Sequence, residues 1–293
     1  MKTNHPKLII LLALILASAL LTGCRFPSAL GAGSWITGES YPHAEGYQTG
    51  SFSYCADAVT AVEIDWRSGA VEIVESDRAE LRVQESGSGL PAASAMHYML
   101  EDGTLRIRFC ASGARIRVQD NDKRLTVEVP RDIALSVRTT SAPITADTLT
   151  QRSVLISARS GGIRLGTVSA DSIDLSSSSG AIRAESIAAR TLSFHSSSGS
   201  LRLGTLTAAT AELDTSSGAV AATLAAVAQL DVRTASGKTQ LSLPRDGAEI
   251  AYTAGSGRLR TEQPFDRKGD LYVFGGGEAR ITVASGSGNL EVR

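Results

Sequence analysis

His195 stands directly before a run of three serines at positions 196–198. A serine hydroxyl whose proton is taken by a neighbouring imidazole is the nucleophile of acyl-transfer enzymes, and it needs a carboxylate and an oxyanion site beside it. A 19-residue register groups His195 with Asp174 and Asp214 as outward polar positions. Because similar serines recur at this point of every repeat, we interpret them as turn residues and predict no catalytic residue.

The remaining cysteines and histidines form no metal or redox motif. The chain has three cysteines and four scattered histidines, without a CxxC pair, so we predict no metal and no cofactor. Cys24 is assigned to a lipid anchor below, which leaves Cys55 and Cys110 as a pair outside the cytosol. A disulfide between them is favoured there, and two buried free thiols are the alternative. Spacing does not decide between the two, because geometry limits bridging.

Cys24 ends a leader with chemistry of its own. Two lysines precede an apolar run over 8–21, which is shorter than the about 20 residues of a membrane-spanning helix and is typical of a secretory signal peptide. The sequence Leu21-Thr22-Gly23-Cys24 resembles the bacterial lipobox, whose cysteine is acylated. We predict a lipoprotein signal peptide over 1–23, a palmitate-type anchor on Cys24 that holds the protein to a membrane, and a flexible tether over 24–50.

Charge and composition exclude a nucleic-acid partner. The formal net charge is −1, and loss of the leader with its two lysines makes it about −3, so the clustered basic residues that neutralise phosphates are missing. Hydrophobic residues make up 42% of the chain and aromatic residues 5%. The chain can therefore bury a sizeable hydrophobic core, and aliphatic side chains must form most of it.

A repeat of 19 residues dominates the second half of the chain. Five Ser-Gly turns begin at residues 160, 179, 198, 217 and 236, and each is followed by alternating apolar and polar residues. Alternation with period two predicts strands, and stacking the repeats aligns Ile163, Ile182 and Leu201 in one apolar column. We predict an all-β, single-domain parallel β-solenoid, similar to a β-helix, in which each rung of about 19 residues contributes two strands.

The repeat boundaries divide the mature chain. Residues 51–134 show the same alternation with irregular spacing, and they are expected to form an irregular β cap at the N-terminal end of the solenoid. Residues 135–293 are expected to form the regular repeats and a C-terminal cap. Looser copies of the turn stand outside the array at Ser68-Gly69 and Ser287-Gly288.

A lipobox, a tether, strands ending in Leu125-Thr126-Val127-Glu128-Val129-Pro130 and repeated Ser-Gly-x-Ile/Leu/Val turns together resemble the bacterial putative-adhesin family with β-strand repeats. The resemblance covers about 52–293 and implies a β-solenoid of unknown function in the bacterial cell envelope. It brings no catalytic residue to any position here.

Two functions of different class follow. The first is a non-enzymatic, lipid-anchored surface module that binds a protein or glycan or has a structural role. The irregular cap over 52–130, which contains Trp66, His97, Tyr98 and the two cysteines, is the first place to look for a partner site. The alternative is a carbohydrate-active β-helix enzyme, a polysaccharide lyase or hydrolase. Such an enzyme needs paired carboxylates and aromatic platforms, and residues 141–261 contain only two aromatic residues, Phe194 and Tyr252.

Overall fold

The structure is a computed structural model that describes residues 35–87, 89–117 and 122–293. The predicted signal peptide and Cys24 lie outside these residues. Trp35–Arg293 form one compact unit. Within the described part of the chain, no helix has the length and apolar character needed to cross a bilayer.

Strands account for nearly all regular structure, and two short 3-10 turns, Ala44–Gly46 and Ala56–Ala58, are the exceptions among the described residues. The strands are β1 Trp35–Thr37, β2 Gln48–Thr49, β3 Phe52–Cys55, β4 Ala61–Trp66, β5 Ala70–Glu75, β6 Glu80–Ser86, β7 His97–Glu101, β8 Thr104–Arg108, β9 Arg115–Arg117, β10 Arg124–Val129, β11 Ala134–Thr139, β12 Ile144–Ala158, β13 Ile163–Ser177, β14 Ile182–Ser196, β15 Leu201–Thr215, β16 Val220–Thr234, β17 Thr239–Ser242, β18 Gly247–Ala254, β19 Leu259–Thr261, β20 Asp266–Lys268, β21 Leu271–Gly275, β22 Ala279–Ser285 and β23 Leu290–Val292.

The five longest strands repeat at the period read from the sequence. β12 to β16 have fifteen residues each and pair in parallel, so that each residue lies opposite the residue about 19 positions further along the chain. Ile163 lies beside Ile182, and Ile182 lies beside Leu201. All three side chains are buried. The predicted all-β solenoid with 19-residue rungs is confirmed.

Each regular rung differs from the prediction in being one bent strand instead of two strands. In β12, two successive side chains face outward at Asp147 and Thr148, and again at Arg152 and Ser153. The pairing with β13 skips Asp147 and Arg152 at the same places. Because side chains alternate strictly along a straight strand, a repeated outward residue marks a bend. Two bends give the rung three short sides, and a four-residue turn closes it.

The Ser-Gly turns stack as closely as the strands do. A Cβ atom on Gly180 would lie less than 3.0 Å from the carbonyl oxygen of Gly161, and the same holds one rung further for Gly199 over Gly180. Side-chain hydroxyls brace these turns: Ser177 Oγ donates to the Gly180 carbonyl at 2.7 Å, and Thr234 Oγ1 accepts from the Gly237 amide at 2.8 Å. The repeated hydroxyl and glycine are therefore requirements of stacking.

At both ends of the stack, rungs that lie next to each other come from parts of the chain that are not consecutive in sequence. The rung β4–β5 lies between the rungs β8–β10 and β11–β12. The last rung, β22–β23, lies between β16–β17 and β18–β19. Antiparallel β6, β7 and β21 pair with the outermost rungs, which covers edges that would otherwise template aggregation. The isolated turns at Ser68-Gly69 and Ser287-Gly288 thus belong to the stack.

Two expected boundaries change. The tether expected over 24–50 is wrong from residue 35 onward, because β1 pairs with β9 and β2 pairs with β7. The region 51–134, expected to be an irregular cap, contributes two complete parallel rungs, and its antiparallel strands β3, β6 and β7 form the cap proper. The apolar residues of this region alternate with polar ones because its strands face the same stacked core as the regular repeats.

A buried ion pair occupies the N-terminal end of the stack. Lys123 takes the turn position next to Gly69, and its side chain has no exposed surface. Its Nζ lies 2.6 Å from Glu85 Oε1, donates to the carbonyl oxygen of Ser94 at 2.6 Å and also donates to that of Phe109. Burial lowers the pKa of Lys123, and the Glu85 carboxylate opposes that shift.

Candidate binding groove

A broad concave surface runs across the rungs, where outward polar residues of successive strands stand in register. It has a volume of about 1130 Å³. One column of its floor follows the strands β4, β11, β12, β13, β14 and β15. In stacking order, that column is Asp65, Arg138, Ser157, Ser176, His195 and Asp214.

A second column of the floor comes from the turns that follow these strands. Amide-to-carbonyl hydrogen bonds link each turn to the one before it, such as Ser178 N to the Ala158 carbonyl at 3.1 Å and Ser197 N to the Ser177 carbonyl at 3.3 Å. The exposed residues in this column are Thr140, Arg159, Ser178, Ser197 and Ser216. Hydroxyl groups thus recur about every 4.8 Å along the groove, the spacing of neighbouring strands.

The N-terminal arm, residues 37–42, forms a wall at one end of the groove. The Gly38 amide donates to the Ala114 carbonyl at 2.6 Å, and Arg67 Nη1 donates to the Thr37 carbonyl at 2.9 Å. Tyr41 is held at both ends: its amide donates to Ser112 Oγ at 2.9 Å, and its hydroxyl donates to the Cys110 carbonyl at 3.0 Å. These contacts fix the arm against the cap.

The arm packs closely enough to change the chemistry of its contacts. Burial raises the pKa of Tyr41 to about 12, so its hydroxyl stays protonated and remains a donor at neutral pH. A Cβ on Gly38 would lie 2.6 Å from Cys110 Sγ, which leaves no space for a larger residue at that position. The Cys110 thiol has a raised pKa because it is buried beside the arm.

Paired and unpaired charges share the groove. Arg108 forms an ion pair with Asp65 and lies 3.9 Å from Glu63 Oε2. Arg138 and Arg159 are exposed, and neither has an ion-pair partner within the described residues. A groove floor of hydroxyls and free guanidinium groups can bind an extended polar or acidic ligand through many weak contacts.

The structure does not assemble the catalytic cluster considered from the sequence. Asp174 lies opposite Ser193, and Ser176 is the residue opposite His195. Grouping Asp174 with His195 was therefore wrong by two residues. His195 Nε2 lies 2.9 Å from Ser193 Oγ, on an exposed part of the strand. Asp214 does neighbour His195. The Ser196 hydroxyl, at the end of β14, is buried without a hydrogen-bond partner, so the imidazole does not activate it.

The disulfide between Cys55 and Cys110 stays a prediction, which the structure does not support. Cys55 and Cys110 are both free thiols, the first exposed and the second buried. Cys55 ends β3, opposite Glu80, whereas Cys110 follows β8 behind the arm. Among the described residues, no three His, Cys, Asp or Glu side chains converge as they would around a metal ion.

The cap residues proposed as a first partner site are mostly internal. Trp66 is 3% exposed and packs edge-on against Phe109, and Tyr98 is 7% exposed and donates to Gln48 Oε1 at 3.1 Å. His97 Nδ1 contacts the Ala95 carbonyl at 2.9 Å. The two aromatic side chains are therefore mostly covered, and the cap stays a prediction as a partner site.

Comparison with known proteins identifies the fold family. A family model described as Toastrack DUF4097 matches residues 59–293, which contain every rung of the stack. The chain belongs to this family. No curated protein matches its sequence.

Two solved structures share the Toastrack fold at low sequence identity. One is a "putative adhesin" from Bacteroides fragilis NCTC 9343, with 12% identity and a TM-score of 0.53, covering 84% of this chain and 97% of that chain. The other is a "putative adhesin" from Parabacteroides merdae ATCC 43184, with 15% identity and a TM-score of 0.51, covering 84% of this chain and 96% of that chain. At these identities the likeness establishes the fold alone.

The groove wall is the functional element that the sequence reasoning missed. The arm at 37–42 precedes the residues matched by the Toastrack family, and its Gly, Ser and Pro content led to its interpretation as tether. A signal was present: Tyr41 lies in the arm and Tyr47 follows it, within the expected tether of an aromatic-poor chain, and their rings pack with centroids 4.7 Å apart. Aromatic residues in a linker are typical of a segment that docks.

Proposed function

We propose that this Toastrack protein is a lipid-anchored, non-enzymatic binding module of the bacterial cell envelope. Its groove would bind an extended protein or glycan ligand outside the cytoplasm. The observation that carries the proposal is the groove itself, where in-register hydroxyls and unpaired Arg138 and Arg159 lie beside a firmly docked arm. The adhesin names of the two structures with this fold support a role in contact with other molecules.

The placement of carboxylates supports binding without turnover. Glycoside hydrolysis uses two carboxyl groups about 5 to 10 Å apart. In the strand column of the groove, Asp65 and Asp214 are five strands apart, which is roughly 24 Å at the spacing of neighbouring strands. Asp65 is also neutralised by Arg108. The column therefore offers no carboxylate pair at the working distance of such an enzyme.

The envelope location of the proposal rests on the leader. The apolar run at 8–21 and the motif Leu21-Thr22-Gly23-Cys24 support export followed by acylation. Two or more acyl chains hold a protein stably at a membrane, since each buried methylene contributes about 0.8 kcal/mol. A folded unit that begins at Trp35 would then stand about ten residues from its anchor.

The test is a binding screen of the full chain, purified in detergent, against arrayed envelope polysaccharides and envelope peptides. Binding that is lost in Arg138→Gln/Arg159→Gln and kept in Arg245→Gln/Arg267→Gln supports the groove. The control pair removes the same charge from exposed positions near the C-terminal end. Recovery of a shortened ligand by mass spectrometry, or equal binding by both variants, would refute a non-enzymatic groove.

A further inference from the structure

Three arginines form a ladder on a side of the stack that the groove does not use. Arg164 lies opposite Arg183, and Arg183 lies opposite Arg202, at the second position of β13, β14 and β15. All three side chains are exposed. The positions flanking them in the same column are Thr145 and Ala221, both uncharged. The ladder is thus a separate block of positive charge with a rise of about 4.8 Å per arginine.

The ladder costs stability and receives no compensation from the fold. Like charges directly opposite each other on neighbouring strands are destabilising. Two carboxylates of the same column are paired: Glu72 lies 3.8 Å from Arg124, and Glu291 forms ion pairs with Lys238 and Arg293. Arg260, opposite Glu291 at the far end of the column, has no ion pair within the described residues. The ladder arginines have no ion pair within the described residues, although the carboxylates of Asp147 and Glu185 lie at the adjoining bend of the strands.

The chemistry of the ladder selects the ligand class. A guanidinium group is a planar fork that binds a carboxylate through two parallel hydrogen bonds. The rise of about 4.8 Å between neighbouring strands is close to the length of one sugar ring in a linear polysaccharide. A chain with one carboxylate per sugar can therefore meet one arginine per rung. The protein's mildly acidic net charge works against diffuse attraction of polyanions, so binding must come from the local match.

We propose that the ladder Arg164, Arg183 and Arg202 binds a linear acidic polysaccharide that carries a carboxylate on successive sugar residues. The polymer lies across the strands, parallel to the stacking axis, with one carboxylate on each guanidinium group. This surface is separate from the groove, because the groove is lined by strand ends and the first residues of the turns, whereas the ladder stands on the strands that follow the turns and none of its arginines lines the groove. Either site can fail without the other.

The probe is polygalacturonate, titrated calorimetrically into the full chain in detergent at low ionic strength. The triple variant Arg164→Gln/Arg183→Gln/Arg202→Gln is expected to lose at least about tenfold in affinity, as three charge-assisted contacts disappear. A triple Arg→Lys variant keeps the charge and loses the fork, so its affinity should fall between the two. The control Arg245→Gln/Arg258→Gln/Arg267→Gln removes equal charge from exposed positions and should bind normally.

Two ligand controls separate recognition from charge. Fully methyl-esterified polygalacturonate keeps the sugar backbone without the carboxylates and should not bind. Inorganic polyphosphate that binds as tightly as polygalacturonate would overturn the assignment to a polysaccharide carboxylate, as would a glutamine triple variant with unchanged affinity and an unchanged thermal transition. Loss of binding in Arg138→Gln/Arg159→Gln, with the ladder variant unaffected, would move the ligand to the groove and also refute the proposal.

Discussion

Two adjacent glycines of one turn give a matched test of the stacking geometry. At Gly161 an added Cβ would lie less than 3.0 Å from the carbonyl oxygen of Ala142 in the preceding rung. At Gly162 the nearest atom to an added Cβ is the Ala181 carbonyl oxygen, at 3.6 Å. Neither glycine has a positive φ. The two alanine variants therefore differ in how closely the added methyl group approaches the neighbouring rung, and neither introduces backbone strain.

The expected magnitudes follow from these contacts. A carbon and a carbonyl oxygen approach no closer than about 3.3 Å without repulsion, so Gly161→Ala must push two rungs apart. The hydrogen bond from Ser160 N to the Thr140 carbonyl, 2.8 Å long, joins the same two rungs and would be stretched. Overpacking of this kind costs about 1 to 3 kcal/mol, and we expect the upper end because backbone opposes backbone. Gly162→Ala should be neutral or stabilise by up to about 1 kcal/mol.

Urea unfolding of the purified full chain, followed by far-ultraviolet circular dichroism, measures both variants. Midpoints are compared, because a stack of rungs need not unfold in one step. We expect a clearly lower midpoint for Gly161→Ala and an unchanged or higher midpoint for Gly162→Ala. Equal midpoints for the two variants would contradict the close stacking of the turns.

Other predictions concern the cysteines and the buried ion pair. A thiol reagent should modify Cys55 in the native protein and Cys110 only on unfolding, because Cys110 is buried and its pKa is raised; protection of both until reduction would indicate a disulfide. Lys123→Met should lower the free energy of unfolding by about 3 to 5 kcal/mol, since Glu85 is left as an unpaired buried charge. Lys123→Met with Glu85→Leu should recover most of that loss in urea melts, and equal losses would refute the ion-pair account. Cys24→Ser should abolish incorporation of labelled palmitate and release the protein from the membrane fraction, whereas retained label would refute acylation at that residue.

The regular rungs could be predicted from the sequence because each column repeats the same physical demand. Ile163, Ile182 and Leu201 face inward for one reason, so their 19-residue spacing fixes both the strand pairing and the register. With the structure known, the bends can also be recognised in the sequence, since Asp147 and Thr148 are two successive polar residues in an otherwise alternating strand. Because the rungs repeat, the sequence of each rung is sufficient to predict its strand pairing and register.

The ends of the stack could not be predicted in the same way. That β4–β5 pairs with β11 and β12, and also with β8 and β10, depends on strands far apart in the chain with no shared period. The arm was missed because its docking depends on single contacts, such as that of Tyr41 with Cys110. The wall of the groove therefore lies where the repeat gives no information, whereas the floor of the groove lies within the regular rungs.

The groove account is tested most directly by the histidine ring resonances of the full chain in a proton spectrum during titration with the strongest ligand of the binding screen. His195 lies on the groove floor, and His97 lies in the cap. The resonance assigned to His195 through His195→Gln should move in proportion to saturation while that of His97 stays fixed. Saturation of binding with the His195 resonance unmoved would contradict the groove as the binding site.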